Sequence, residues 1–197
     1  MTRETSNRRA FLKKAALTTT VGGGVLASAG TAAAADQKLI LESNGGSGSY
    51  TVYVNDTGAS GVSSTLESGD EVDSGSSKSR ISGDLSDGDR DEYTFTGQVT
   101  AAILRGDVWL EVANPNGINL GGRLDIEGGG DSTYWVKASQ DMRDDYSNLE
   151  STDSVSDDTC DGTLGFSDTD SYYLDGTIYA ISASATDGYS VTVSHDI

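Results

Sequence analysis

Residues 82–101 read Ser-Gly-Asp-Leu-Ser-Asp-Gly-Asp-Arg-Asp-Glu-Tyr-Thr-Phe-Thr-Gly-Gln-Val-Thr-Ala, and the same frame returns without a gap at residues 161–180. Gly83, Leu85, Asp89, Asp91, Tyr93, Gly97 and Ala101 come back as Gly162, Leu164, Asp168, Asp170, Tyr172, Gly176 and Ala180, all at an offset of 79. Phe95 and Val99 return as Leu174 and Ile178. Identity at spaced positions, with conservative exchange between them, marks an internal repeat, which takes precedence over any single-segment reading.

The repeat extends on both sides. Leu124-Asp125-Ile126-Glu127 echoes Leu39-Ile40-Leu41-Glu42 at 85, Tyr134-Trp135-Val136 echoes Tyr50-Thr51-Val52 at 84, and 149–155 echoes 66–72 at 83. An offset that falls in small steps is what loop deletions after one duplication leave. Within each half the apolar residues alternate with polar ones over four to seven positions, as in Tyr50-Thr51-Val52-Tyr53-Val54 and Tyr93-Thr94-Phe95, the period of half-buried strands. Glycine-rich turns separate them. The expectation is an all-β chain of two tandem β-sandwich repeats, 36–114 and 115–197, joined at the turn Asn114-Pro115-Asn116-Gly117 and packed through a modest interface. Locally, 38–42 and 49–54 read as a hairpin closed by the Ser/Gly run 43–48. Residues 101–104 and 107–112 read as two strands separated at Arg105-Gly106, and 55–79 as a loop with at most one short strand.

The first 35 residues have a different character. Five basic side chains and one acid precede an apolar run that ends in Thr31-Ala32-Ala33-Ala34-Ala35, the layout of a cleavable export signal. Arg8 and Arg9 followed by Phe11, Leu12 and Lys13 resemble the twin-arginine translocation motif. Three consecutive glycines, 22–24, weaken the run as a membrane anchor. The resemblance implies a twin-arginine translocase as partner during export, an extracellular or cell-surface location, and no stable membrane span after cleavage.

Removing that segment takes the net charge from −18 to −22, which repels nucleic acid and anionic membranes. An acidic surface, few lysines and a twin-arginine signal together resemble secreted proteins of halophilic archaea. The paired motifs Asp-x-Tyr-x-Phe-x-Gly at 91–97 and Asp-x-Tyr-x-Leu-x-Gly at 170–176 resemble the small duplicated β modules of such proteins. That resemblance implies a high-salt habitat and names no activity.

Few residues carry chemistry. Cys160 is the one cysteine, so no intrachain disulfide forms, and it reads as a small apolar residue. His195, the one histidine, is third from the end, where chains fray. No Gly-x-Ser-x-Gly elbow occurs. No catalytic or cofactor-binding residue is therefore expected. Asp87, Asp89 and Asp91, with Asp168 and Asp170 in the second repeat, alternate near turns and are the candidate Ca²⁺ ligands, set against a plain solvated acidic surface. Asn55-Asp56-Thr57 is a glycosylation sequon at Asn55. Of the tyrosine and tryptophan side chains, Tyr93, Tyr172 and one member of each pair Tyr134-Trp135 and Tyr172-Tyr173 are assigned to the core. The other member of each pair is left for packing or for stacking on sugar rings. The function expected is a non-catalytic exported surface or secreted module, structural or adhesive, whose partner is a cell-surface glycan or protein. A glycan-binding accessory module is the alternative, and a hydrolase ranks below both.

Overall fold

The computed structural model describes residues 36–56, 58–62, 64–113, 122–144, 148–186 and 188–196. The segment 1–35 read as an export signal, the junction expected at 114–117 and Thr57 lie outside them. Fourteen strands are found among the described residues, and no helix. They are β1 (Gln37–Val54), β2 (Ser60–Gly61), β3 (Glu71–Ser74), β4 (Ser79–Leu85), β5 (Arg90–Phe95), β6 (Val99–Ala113) and β7 (Gly122–Gly128). The chain continues with β8 (Ser132–Ala138), β9 (Met142–Arg143), β10 (Ser154–Ser156), β11 (Thr159–Leu164), β12 (Asp168–Leu174), β13 (Ile178–Ser184) and β14 (Val191–Asp196).

Two of these strands are too long for one layer. The Ser/Gly run 43–48 does not close a hairpin. It lies inside the 18-residue β1, and both parts of β1 pair with β6: Leu39–Val112 and Leu41–Leu110 before the run, Tyr50–Leu104 and Val52–Ala102 after it. Arg105-Gly106 likewise lies inside β6 rather than between two strands. The two irregularities coincide. A Cβ on Gly48 would sit 2.9 Å from Arg105 O, and one on Gly106 would sit 2.3 Å from Ser47 O. Gly106 also has a φ of +72°, a region open to glycine at little cost. Both strands bend together there and pass from one layer to the other. The region 55–79 supplies two short strands, β2 and β3.

The pairings join all fourteen strands into one nearly closed, barrel-like sheet, whose two opposing layers share β1 and β6. The first runs β2-β5-β1-β6-β13-β8-β11-β10, using the N-terminal part of β1 and the C-terminal part of β6. The second runs β3-β4-β1-β6-β14-β7-β12-β9, using the other part of each. All pairs are antiparallel, and the outermost strands have only two to four residues, which shortens the exposed edges. The two halves of the sequence therefore meet inside a sheet: β6 bonds on one side to β1 and on the other to β13 and β14.

One hydrophobic cluster fills the space between the layers. It holds Leu39, Leu41, Val52, Ile81, Leu85, Phe95, Leu104 and Leu110 together with Leu124, Ile126, Val136, Leu164, Leu174, Ile181 and Val193. These are the inward members of the alternating runs, and their burial is the main favourable term in the fold.

Candidate functional site

The repeated stretch builds the same polar network twice inside this core. On β5, Asp91, Tyr93 and Phe95 share one parity and all point inward, at 2 %, 0 % and 2 % exposure. Tyr50 reaches them from β1 in the opposite layer. Its hydroxyl donates to Asp91 Oδ2 at 2.7 Å and lies 2.7 Å from the Tyr93 hydroxyl. On β12 and β8, Tyr134 donates to Asp170 Oδ2 at 2.7 Å and meets Tyr172 at 2.6 Å. The ring pairs are edge-on in both, with centroids 6.3 and 6.5 Å apart.

The surroundings repeat as well. Asp70 Oδ2 caps Glu67 N in the first half, and Asp153 Oδ2 caps Glu150 N in the second, both at 2.6 Å. The other oxygen of each aspartate crowds, with the tyrosine hydroxyl, over a glycine. A Cβ on Gly83 would stand 2.3 Å from Asp70 Oδ1 and 2.4 Å from Tyr50 Oη, and one on Gly162 would meet Asp153 Oδ1 at 2.4 Å and Tyr134 Oη at 2.5 Å. Glycine returns at these positions because the network occupies the side-chain volume.

Burial dominates the electrostatics. Loss of water pushes the Asp91 carboxyl up to about 6, against the opposing hydrogen bond from Tyr50 and with help from Asp70, Glu67 and Asp89. Asp170 is pushed up to about 6 by burial, opposed by Tyr134 and aided by Asp153, Asp168 and Glu150. The same burial raises the hydroxyls of Tyr50 and Tyr134 well above the ordinary tyrosine range. Asp170 Oδ1 is buried without a hydrogen-bond partner among the described residues.

The five candidate metal ligands are thus separated in role. Asp91 and Asp170 face the core tyrosines, Asp89 Oδ2 accepts from Ser86 N and Asp168 Oδ2 from Gly165 N across their turns, and Asp87 is exposed. Among the described residues no group of three or more His, Cys, Asp or Glu side chains is arranged to hold a metal ion. Asn55 is exposed, with its Oδ1 accepting from Gln98 N. His195 does not fray. In β14 it pairs with Leu124 of β7 at 5 % exposure, and burial lowers it to about 4. Cys160 is buried beside Val136, and burial raises its thiol. Tyr134 and Tyr172 are the buried members of their pairs, as alternation requires, while Trp135 and Tyr173 are half-buried.

Exposed chemistry gathers elsewhere. Phe166, absent from the aromatics singled out in the sequence, is 80 % exposed in the turn between β11 and β12, and its ring meets that of Tyr189 edge-on at 6.2 Å. They border a shallow hollow of about 360 Å³ with Arg105, Glu127, Ser190 and Thr192. A second hollow, of about 420 Å³, is lined by Ser47, Asp107, Asp131, Thr133 and Ser184. No helix among the described residues is long and apolar enough to cross a membrane. The chain matches no family model, no curated protein and no solved structure.

Proposed function

We propose that this chain is a non-catalytic exported β module of a halophile, secreted or held at the cell surface, with a structural or adhesive role. The observation that supports it most is where the perturbed groups sit. Asp91 and Asp170, whose carboxyls depart furthest from ordinary aspartate, are closed into the core by Tyr50 and Tyr134. Such groups mark active sites when they face a cleft. Here they face the opposite layer of the same sheet and read as part of the scaffold. We take the scaffold as one duplication, 36–114 and 115–197, whose two sandwich repeats have merged. The twin-arginine route, which carries folded cargo, suits such a closed module, and the net charge of −22 suits molar salt, where the Debye length is about 3 Å.

Exchanging Arg8 and Arg9 for lysine tests the export half of this reading. The wild-type protein should be found outside the cell, shortened near residue 35, and the variant should accumulate inside at full length. Export of the variant at the wild-type rate would overturn the route. The Asp91→Asn/Asp170→Asn protein tests the other half: its surface attachment should match wild type. A glycan-binding role is the second reading, favoured by one observation, the exposed Phe166–Tyr189 ring pair.

A further inference from the structure

Phe166 has no scaffold reason to be aromatic. At the repeat offset of 79 its counterpart is Asp87, in a turn that holds the same relation to its network with no ring present. Tyr189 has no scaffold counterpart either. The registers of β6 and β14 against β1 and β7 (Leu110 opposite Leu41, Val193 opposite Ile126) place it level with Gly106, the bend of β6. Both rings therefore belong to the second half alone, where the first half has an aspartate in a turn and a glycine at the bend of β6.

The rings are nevertheless held in place. Tyr189 lies against the β7–β8 turn so closely that a Cβ on Gly130 would stand 2.3 Å from its Cδ2, and one on Gly129 would stand 3.1 Å from its Cδ1. Its backbone N–H donates to Thr186 O at 2.9 Å, and Thr186 Oγ1 in turn donates to Gly130 O at 2.6 Å. Phe166 stands beside it on the turn that Asp168 closes through Gly165 N, where Ser167 takes a φ of +58°. The hollow beside the rings is lined also by Ser167, Ser190, Thr192, Arg105 and Glu127.

We propose that this hollow binds a neutral saccharide, with Phe166 as the stacking platform. The apolar C–H face of a pyranose covers an exposed ring that an acid-rich surface would otherwise have no reason to present. Hydroxyls, one guanidinium and one carboxylate supply both donors and acceptors for sugar hydroxyls. The lining carries one basic residue, Arg105, and one acidic residue, Glu127, so the hollow has no net charge of its own and uncharged glycans are the class that fits. The site rests on the glycan-binding reading, and on export only for access to such polymers.

Titration calorimetry of the full chain in molar KCl tests it, with cellohexaose, maltohexaose, mannohexaose and chitohexaose as probes. The expected result is binding to at least one probe, weakened tenfold or more in Phe166→Ala and kept in Phe166→Trp. Phe166 is exposed enough that its removal leaves the melting temperature unchanged, so loss of binding is not loss of fold. No binding to any probe at millimolar concentration, or binding that Phe166→Ala leaves unaltered, overturns the site. So does a sedimentation profile in which wild type is a dimer and Phe166→Ala a monomer, since a second copy would then cover the rings. A protein that binds sugar but stays inside the cell would sink the export reading and leave the site standing.

Discussion

Tyr50 and Asp91 are joined across the two layers by a 2.7 Å hydrogen bond with the tyrosine as donor, and the carboxylate it reaches is 2 % exposed. Tyr134 and Asp170 repeat the arrangement with a carboxylate at 0 % exposure. Two anions are therefore kept in one hydrophobic core by tyrosines.

The consequence for pH is direct. Each carboxyl has a folded value near 6 against an ordinary 3.8, so the folded state holds protons that the unfolded chain has released. Their contribution is fully present below pH 3.8 and is lost as pH rises through 6, by about 3 kcal/mol per site at most. Thermal unfolding in constant high salt should show stability falling between pH 4 and 7. The Asp91→Asn/Asp170→Asn protein should lose that fall, its slope turning upward because buried His195, held down to about 4, adds stability as pH rises, and it should exceed wild type at pH 8. An unchanged slope would place the titrating groups elsewhere.

Removing the donor should act in the opposite sense. In Tyr50→Phe the carboxylate loses the hydrogen bond that holds its pKa down, and Tyr93 loses its hydroxyl partner. A buried group left unpaired costs about 1–3 kcal/mol. The loss should be larger at pH 8, where Asp91 is charged, than at pH 4.5. Denaturant midpoints at the two pH values check this, and equal losses would contradict it.

Gly83→Ala and Gly162→Ala should each destabilise by about 1–3 kcal/mol, the usual range for overpacking, because the added methyl meets the aspartate and tyrosine oxygens over those positions. Gly69→Ala, with nothing within 4 Å, is the control, expected within about 0.5 kcal/mol of wild type. Melting temperatures of the three proteins settle the comparison.

Leu85 and Leu164 are repeat equivalents at 1 % and 0 % exposure, one in each half, feeding one hydrophobic cluster. Leu→Ala at either should cost about 2–5 kcal/mol. Because both halves share β6 as a sheet neighbour, each variant should lower the same single unfolding transition. Calorimetry that splits the transition in two, with each variant moving only one component, would show that the halves unfold apart.

How much of this is visible in the chain itself can be judged from particular residues. The alternation at 50–54 and 91–95 locates strands and their inward faces, and the offset of 79 alone pairs Asp91 with Asp170. The same alternation carries a clue beyond the turn reading: Asp91 has the parity of Tyr93 and Phe95, so its place is inside the sheet and not in an acidic turn. Glycines 45, 46 and 48 are harder. A tight turn and a bend between layers draw on the same residues, and the difference lies in β6, where Gly106 bends at the same level. Local sequence holds no record of which distant strand a segment pairs with. Phe166 escaped notice for a different reason, since it sits in a turn and breaks the repeat.

The seam between the halves holds a last relationship. Across it Ala180 faces Glu111 and Ile181 faces Leu110, while Ser194 faces Ala101 and Val193 faces Ala102. Ala180 is the repeat equivalent of Ala101, and the registers against β1 and β7 make Val193 the equivalent of Leu110. Each contact is thus the other seen from the opposite subunit, and β6 is self-complementary about Gly106. That is the isologous geometry of a twofold homodimer, reproduced here within one chain. Residues 36–113 made alone should therefore pair β6 with β6 of a second copy, which sedimentation would detect as a dimer.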